Sequence, residues 1–123
     1  MRLSHMHESE RQTNFPVINR RLEERLSLIN VDEIVPEHGS LIDVPIEQIR
    51  VREKSVYQDT VNQYQAERDK FGAFQNPSGY PDDTWYPWGI KIGNFVVIMD
   101  GTHRAEVDRE HGLIKMHVFD KWW

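Results

Sequence analysis

The chain of 123 residues contains no cysteine. Disulfides, thiol catalysis and cysteine-ligated zinc are therefore excluded, which fits a reducing compartment. It has no apolar stretch near the ~20 residues that a membrane span requires. The N-terminus lacks the apolar middle of a signal peptide. A soluble cytoplasmic protein with no membrane role is the expectation. Excess positive charge is missing too: 15 Lys and Arg stand against 20 Asp and Glu, for a formal charge of −5. The basic residues are scattered among acidic ones, which disfavours nucleic acid as a partner, since duplex binding rests on neutralising phosphates. There is no internal repeat and no low-complexity tract.

A length of 123 residues fits one domain with its own hydrophobic core. Residues 1–14 are polar and are expected to be loosely attached. His5 and His7 alternate there, but two histidines are too few for a metal site. Residues 20–30 read as a helix, because Leu22, Leu26 and Ile29 fall on one face of a 3.6-residue period. Its charges, Arg20 to Arg25, then face water. Residues 31–40, with Pro36 and Gly39, form a connector. Residues 1–40 are accordingly a tail plus an amphipathic helix, and residues 41–123 the main domain.

Residues 41–51 alternate as a short strand, a turn near Glu47-Gln48 and a second extended piece. Pro45 bars a continuous central strand there. Residues 55–71 give the clearest helix. Ser55 followed by Gln58 matches a capping box, and Gly72 is placed to end the helix. Tyr57, Val61, Tyr64 and Phe71 line one face with Arg68 among them. The aromatic stripe reads as core, with ligand stacking by Tyr57 or Tyr64 as the functional alternative. Residues 73–88 hold three prolines with Tyr80, Trp85, Tyr86 and Trp88, which makes a long aromatic loop that packs on the body or walls a pocket. Trp122-Trp123 point to contact with another surface, a second copy of the chain among the candidates.

Residues 94–111 carry the strongest signal. Gly89 to Ile92 form a short strand, and Gly93-Asn94 reads as a hairpin turn into the apolar run Phe95 to Met99. That run stops at Asp100-Gly101. Gly101 permits a sharp turn, and Thr102-His103-Arg104 open a helix. With its free N–H groups, such a junction suits an anion, above all phosphate. The helix through His111 has few apolar residues and is expected to lie mostly exposed. The closing strand, residues 113–119, alternates Ile114, Met116 and Val118 with Lys115 and His117. Strand, helix and strand with short links predict a βαβ-like crossover onto one sheet.

The sequence Val44-Pro45-Ile46-Glu47-Gln48-Ile49-Arg50-Val51, a helix, Gly89-Ile90-Lys91-Ile92, then Asp100-Gly101-Thr102-His103-Arg104 with a helix ending at Gly112, resembles the ParB N-terminal/sulfiredoxin superfamily. The match covers residues 41–119. It implies an α/β (α+β) domain, a small mixed sheet with flanking helices, that binds phosphates or a nucleotide. Carried over, phosphate contact falls to Gly101, Thr102, His103 and Arg104. Sulfiredoxins bear a reactive cysteine where Thr102 stands, so their reduction chemistry is ruled out here. Plasmid-partition members bear a second arginine in the motif, where this chain has His103, and add a helix-turn-helix domain.

The Asp-Gly-x-His-Arg form looks more like the branch with free-serine kinases and nucleotide-hydrolysing relatives. By that resemblance the protein is an ATP-dependent kinase or nucleotidase, using ATP or another nucleotide with magnesium and an unidentified small-molecule acceptor. Glu53 is the candidate general base, His103 a candidate catalytic residue that also holds phosphate, and Asp100 the candidate catalytic residue and magnesium ligand. Capping by Asp100 and simple solvation of Glu53 are the structural alternatives. A nucleic-acid-binding module or nuclease, and a non-enzymatic interaction protein such as a phage- or plasmid-encoded inhibitor, are the alternative functions.

Overall fold

The computed structural model describes residues 9–34, 39–72 and 86–120. The two histidines of the leader, Pro36 of the connector, Tyr80 and Trp85 of the aromatic loop, and the terminal Trp122-Trp123 lie outside them. The fold is mixed α+β. Its elements in order are β1 (Glu10–Gln12), α1 (Arg20–Ser27), β2 (Ser40–Pro45), β3 (Ile49–Arg50), β4 (Ser55–Tyr57), α2 (Gln58–Phe71), β5 (Trp88–Ile92), β6 (Phe95–Asp100), α3 (Thr102–Asp108) and β7 (Leu113–Phe119).

Five strands form the main sheet in the order β2-β7-β5-β6-β3. The β5–β6 hairpin turns at Gly93-Asn94 and pairs Ile92 with Phe95. Pro45 ends β2, an edge strand, where a missing N–H costs no ladder bond. A short 3-10 turn over Ile46–Gln48 then leads into β3. The period of two along β6 divides the core between the faces of the sheet. Val96 and Ile98 join Val44, Met116 and Ala105 on one side. Val97 joins Leu22, Leu26 and Ile29 on the other. The stripe on α1 and the turn after it thus buries as its spacing predicted, although the helix ends at Ser27 and Ile29 lies beyond it, each buried side chain contributing about 1.5–3 kcal/mol.

Three expectations are corrected. First, residues 9–14 are not loosely attached. β1 pairs antiparallel with β4 as a separate two-stranded ribbon. Beyond it the Thr13 amide donates to the Lys54 carbonyl, and the Val51 amide to the Pro16 carbonyl. Phe15 sits in the same core cluster as Val44 and Met116. The N-terminal strap is thereby part of the body that holds residues 41–119. Second, Ser55 does not cap α2. It lies in β4, paired with Gln12, and Tyr57 occupies the cap position. The strand partner supplied by the strap outweighs the local capping pattern. The other end behaves as the sequence indicated: Gly72 closes α2 at φ +77°.

Third, α3 is not exposed. Arg104, Ala105, Glu106, Val107 and Asp108 are all buried. The strap covers one side of α3 and α2 another, and the buried charges are paired: Asp108 with Arg68, Glu106 with Arg11. Val107 packs with Val56 and Val61. After α3 a 3-10 turn over Arg109–His111 and Gly112 at φ +80° lead into β7. β7 enters the same sheet as expected, but beyond β5 rather than beside β6. It runs parallel to β5, which is antiparallel to β6, so β6-α3-β7 is not a parallel crossover.

Candidate functional site

The β6–α3 junction forms because Gly101 adopts φ +105°, a conformation that side chains rarely take. Space forbids one as well. A Cβ there would stand 2.7 Å from Pro87 Cα and 2.9 Å from an Arg104 guanidinium nitrogen. Pro87, just before β5, thus closes off the turn from one side. On the other side opens a cleft of about 260 Å³. Asp100, Gly101, Thr102, His103 and Arg104 line it, together with Glu53 from the β3–β4 link. All six residues singled out from the sequence therefore border one cavity. α2 adds Thr60 and Tyr64, and β6 adds Met99. Of these, Tyr64 was legible as a ligand-stacking alternative, whereas Thr60 had no signal in the sequence.

Arg104 is only 2% exposed. Its guanidinium donates to the Tyr86 carbonyl at 3.2 Å and to Asp100 Oδ2 at 3.2 Å. Burial pulls its pKa down from the ordinary arginine value, and the Asp100 carboxylate opposes that shift. The charge is thus fixed in place in the cleft, held by the aspartate that ends β6, four residues earlier. Asp100 itself is exposed, so its carboxylate faces both Arg104 and solvent. Burial raises the Tyr64 hydroxyl above the ordinary tyrosine value, with Arg104 acting in the opposite direction.

His103 borders the same cleft. Its Nε2 accepts the Tyr57 backbone N–H at 3.1 Å, and its ring stacks on that of Tyr57 at 6.0 Å with an interplanar angle of 4°. Burial lowers its pKa below the usual histidine value, and the nearby Glu53 charge only partly offsets this. The imidazole is held neutral with its proton on Nδ1. Nε2 is engaged by the backbone of Tyr57, the residue that precedes α2, which leaves Nδ1 as a donor.

Glu106 carries no signal in the sequence, where it reads as one more charge on a polar helix. In the fold it is 7% exposed. Its carboxylate accepts from Thr13 Oγ1 at 2.6 Å, from the Asn14 amide at 2.9 Å, from Asn14 Nδ2 at 3.0 Å and from Arg11 at 3.3 Å. Burial alone would raise the carboxyl. The bonds from Thr13 and Asn14 with the Arg11 charge outweigh it and hold Glu106 below the ordinary glutamate value. This clamp fixes α3 to the strap from behind the cleft.

Among the described residues no group of three or more His, Asp or Glu side chains forms a ready metal cage. Two carboxylates, Glu53 and Asp100, border the cleft. That donor set fits magnesium, which is held by one or two carboxylates with ligand phosphates and waters completing its shell. Among the same residues no helix is long and apolar enough to cross a membrane. No protein-family model, curated protein or solved structure matches the chain.

Proposed function

We propose that the cleft at the β6–α3 junction binds the phosphates of a nucleotide, and that the protein is a phosphotransfer or nucleotide-hydrolysing enzyme. The observation that carries this is the arrival of Glu53 beside Asp100, Thr102 and Arg104 in one cavity. Glu53 comes from a separate segment, and its placement agrees with the role implied by the likeness of residues 41–119 to the ParB N-terminal/sulfiredoxin superfamily. The buried Arg104 supplies a fixed positive charge, and the Thr102 hydroxyl a neutral donor, for phosphate oxygens. Magnesium bound with the nucleotide would neutralise phosphate charge, with Asp100 as its protein ligand. Glu53 takes a proton from the hydroxyl or water that attacks. Tyr64 and Met99 also border the cleft.

Thermal unfolding in the presence of ATP, ADP and other nucleotides with magnesium tests this. Nucleotide at about 100 times its Kd adds about 2.7 kcal/mol of stability to the wild type. Thr102→Val and Asp100→Asn reduce the gain, and Glu53→Gln retains it while losing turnover of labelled nucleotide. Absence of stabilisation by every nucleotide, or unchanged turnover in both carboxylate variants, removes the assignment.

A further inference from the structure

The Asp100–Arg104 pair joins two groups of very different freedom. The Arg104 side chain is 2% exposed and the Asp100 side chain 57%. The guanidinium packs against the β6–α3 turn, where a Cβ on Gly101 would stand 2.9 Å from its Nη2. It also donates to the Tyr86 carbonyl at 3.2 Å. Arg104 is thus held in place by more than the aspartate. The Asp100 carboxylate accepts from Arg104 Nη2 at 3.2 Å and has no second hydrogen-bond partner among the described residues. That distance is longer than the 2.7–2.9 Å usual for such charged bonds. Rotation of the Asp100 side chain would release it into water, while its backbone stays paired with Trp88.

A buried guanidinium stripped of its counter-charge is costly. Among the neighbouring carboxylates Asp100 acts on Arg104 most strongly, ahead of Glu67. Both members of the pair border the cleft, so an anion that reaches Arg104 has to take the place of Asp100. Asp100 is tethered four residues away, and its effective concentration far exceeds that of a free carboxylate of the same charge. A phosphoryl dianion instead brings more charge and three acceptor oxygens to the planar fork of donors. We propose that Asp100 is a tethered competitor for Arg104, one that a phosphoryl dianion displaces and that excludes monocarboxylates. The proposal rests on the reading of the cleft as a phosphate site and adds to it the way the site selects among anions.

The test uses the full chain labelled with nitrogen-15 and carbon-13, at fixed ionic strength with a chelator present. It is titrated with inorganic phosphate or acetate at about pH 8, where phosphate is largely the dianion. In the wild type, phosphate gives saturable amide shifts at Gly101, Thr102 and Arg104, and the Asp100 carboxyl carbon shifts with them. Acetate at the same concentration gives neither. Asp100→Asn removes the competing charge and keeps the shape, so phosphate binds at least about tenfold more tightly, a difference of about 1.4 kcal/mol. Glu53→Gln removes the other carboxylate of the cleft and gains less. Both residues are exposed, so these variants leave the core intact. Phosphate affinity that is unchanged or weaker in Asp100→Asn, an equal gain in Glu53→Gln, or an Asp100 carboxyl signal that stays still overturns the proposal. Magnesium-ATP separates the two readings, because Asp100→Asn weakens it if the nucleotide assignment holds. A gain in phosphate affinity without stabilisation by any nucleotide removes only the nucleotide assignment. Stabilisation by nucleotide without that gain removes only the competitor.

Discussion

Thr13 and Glu106, 93 positions apart, are joined by a buried hydrogen bond of 2.6 Å from the threonine hydroxyl to the carboxylate. The bond ties the N-terminal strap to the helix that carries Thr102, His103 and Arg104. It is one of four donors to a carboxylate that has almost no contact with water. An ionised group in that position is tolerable only while its lone pairs are met.

Thr13→Ala therefore costs more than its lost methyl contacts. It leaves a buried carboxylate oxygen short of a donor, worth about 1–3 kcal/mol. Urea unfolding of Thr13→Ala and Thr13→Ser separates the hydroxyl from the methyl. Thr13→Ser keeps most of the stability, and Thr13→Ala does not. Equal loss in both would assign the effect to packing.

Stability should fall as the pH falls, and two groups give the same sign. Glu106 has a folded pKa below its unfolded value of 4.5. Its contribution is present above that value and is lost as the pH drops through the folded pKa. His103 has a folded pKa below its unfolded value of 6.5. Below 6.5 the unfolded chain takes up a proton that the fold resists, so stability declines there as well. Urea midpoints measured from pH 8 to pH 4 should fall first below about pH 6.5 and again below about pH 4.5. In Glu106→Gln the second decline is reduced.

Local elements of this fold were legible because neighbours in sequence determine them. Gly93-Asn94 makes its hairpin and Gly72 ends its helix from backbone preference alone. Leu22, Leu26 and Ile29 declare a buried face by spacing. What could not be read was set by partners far along the chain. Ser55 looks like a cap until β1 is there to pair with it. Glu106 and Asp108 look solvated until Thr13, Asn14 and Arg68 meet them. His103 reads as having both ring nitrogens free until Tyr57 presents its N–H to Nε2. Each of these is a long-range polar match, which leaves no periodic trace.

Gly101→Ala should disturb the site and the fold together. The substitution forces a side chain into φ +105° and against Pro87. Alanine at such a φ costs more than about 1 kcal/mol, and contact with Pro87 adds to it. The expected outcome is a lower unfolding midpoint with altered amide shifts at Asp100, Thr102 and Trp88. Stability within about 0.5 kcal/mol of wild type, the range for an unremarkable surface change, would show that the turn has a second accessible form.

The strap itself can be weighed by comparing a chain that starts at residue 9 with one that starts at residue 15. Only the second lacks β1, Thr13 and Asn14. It exposes the edge of β4, strips three donors from Glu106 and leaves Arg11 absent as its counter-charge. Removing the partners of a buried charge costs about 3–5 kcal/mol, a large share of the 5–15 kcal/mol typical of a domain. The shorter chain should therefore unfold at a much lower urea concentration, and restoring Gln in place of Glu106 should recover part of the loss, because a neutral amide needs fewer donors than a carboxylate. If the two chains unfold together, the strap rests on α3 without supporting it, and the clamp at Glu106 is not what holds the helix beneath the cleft.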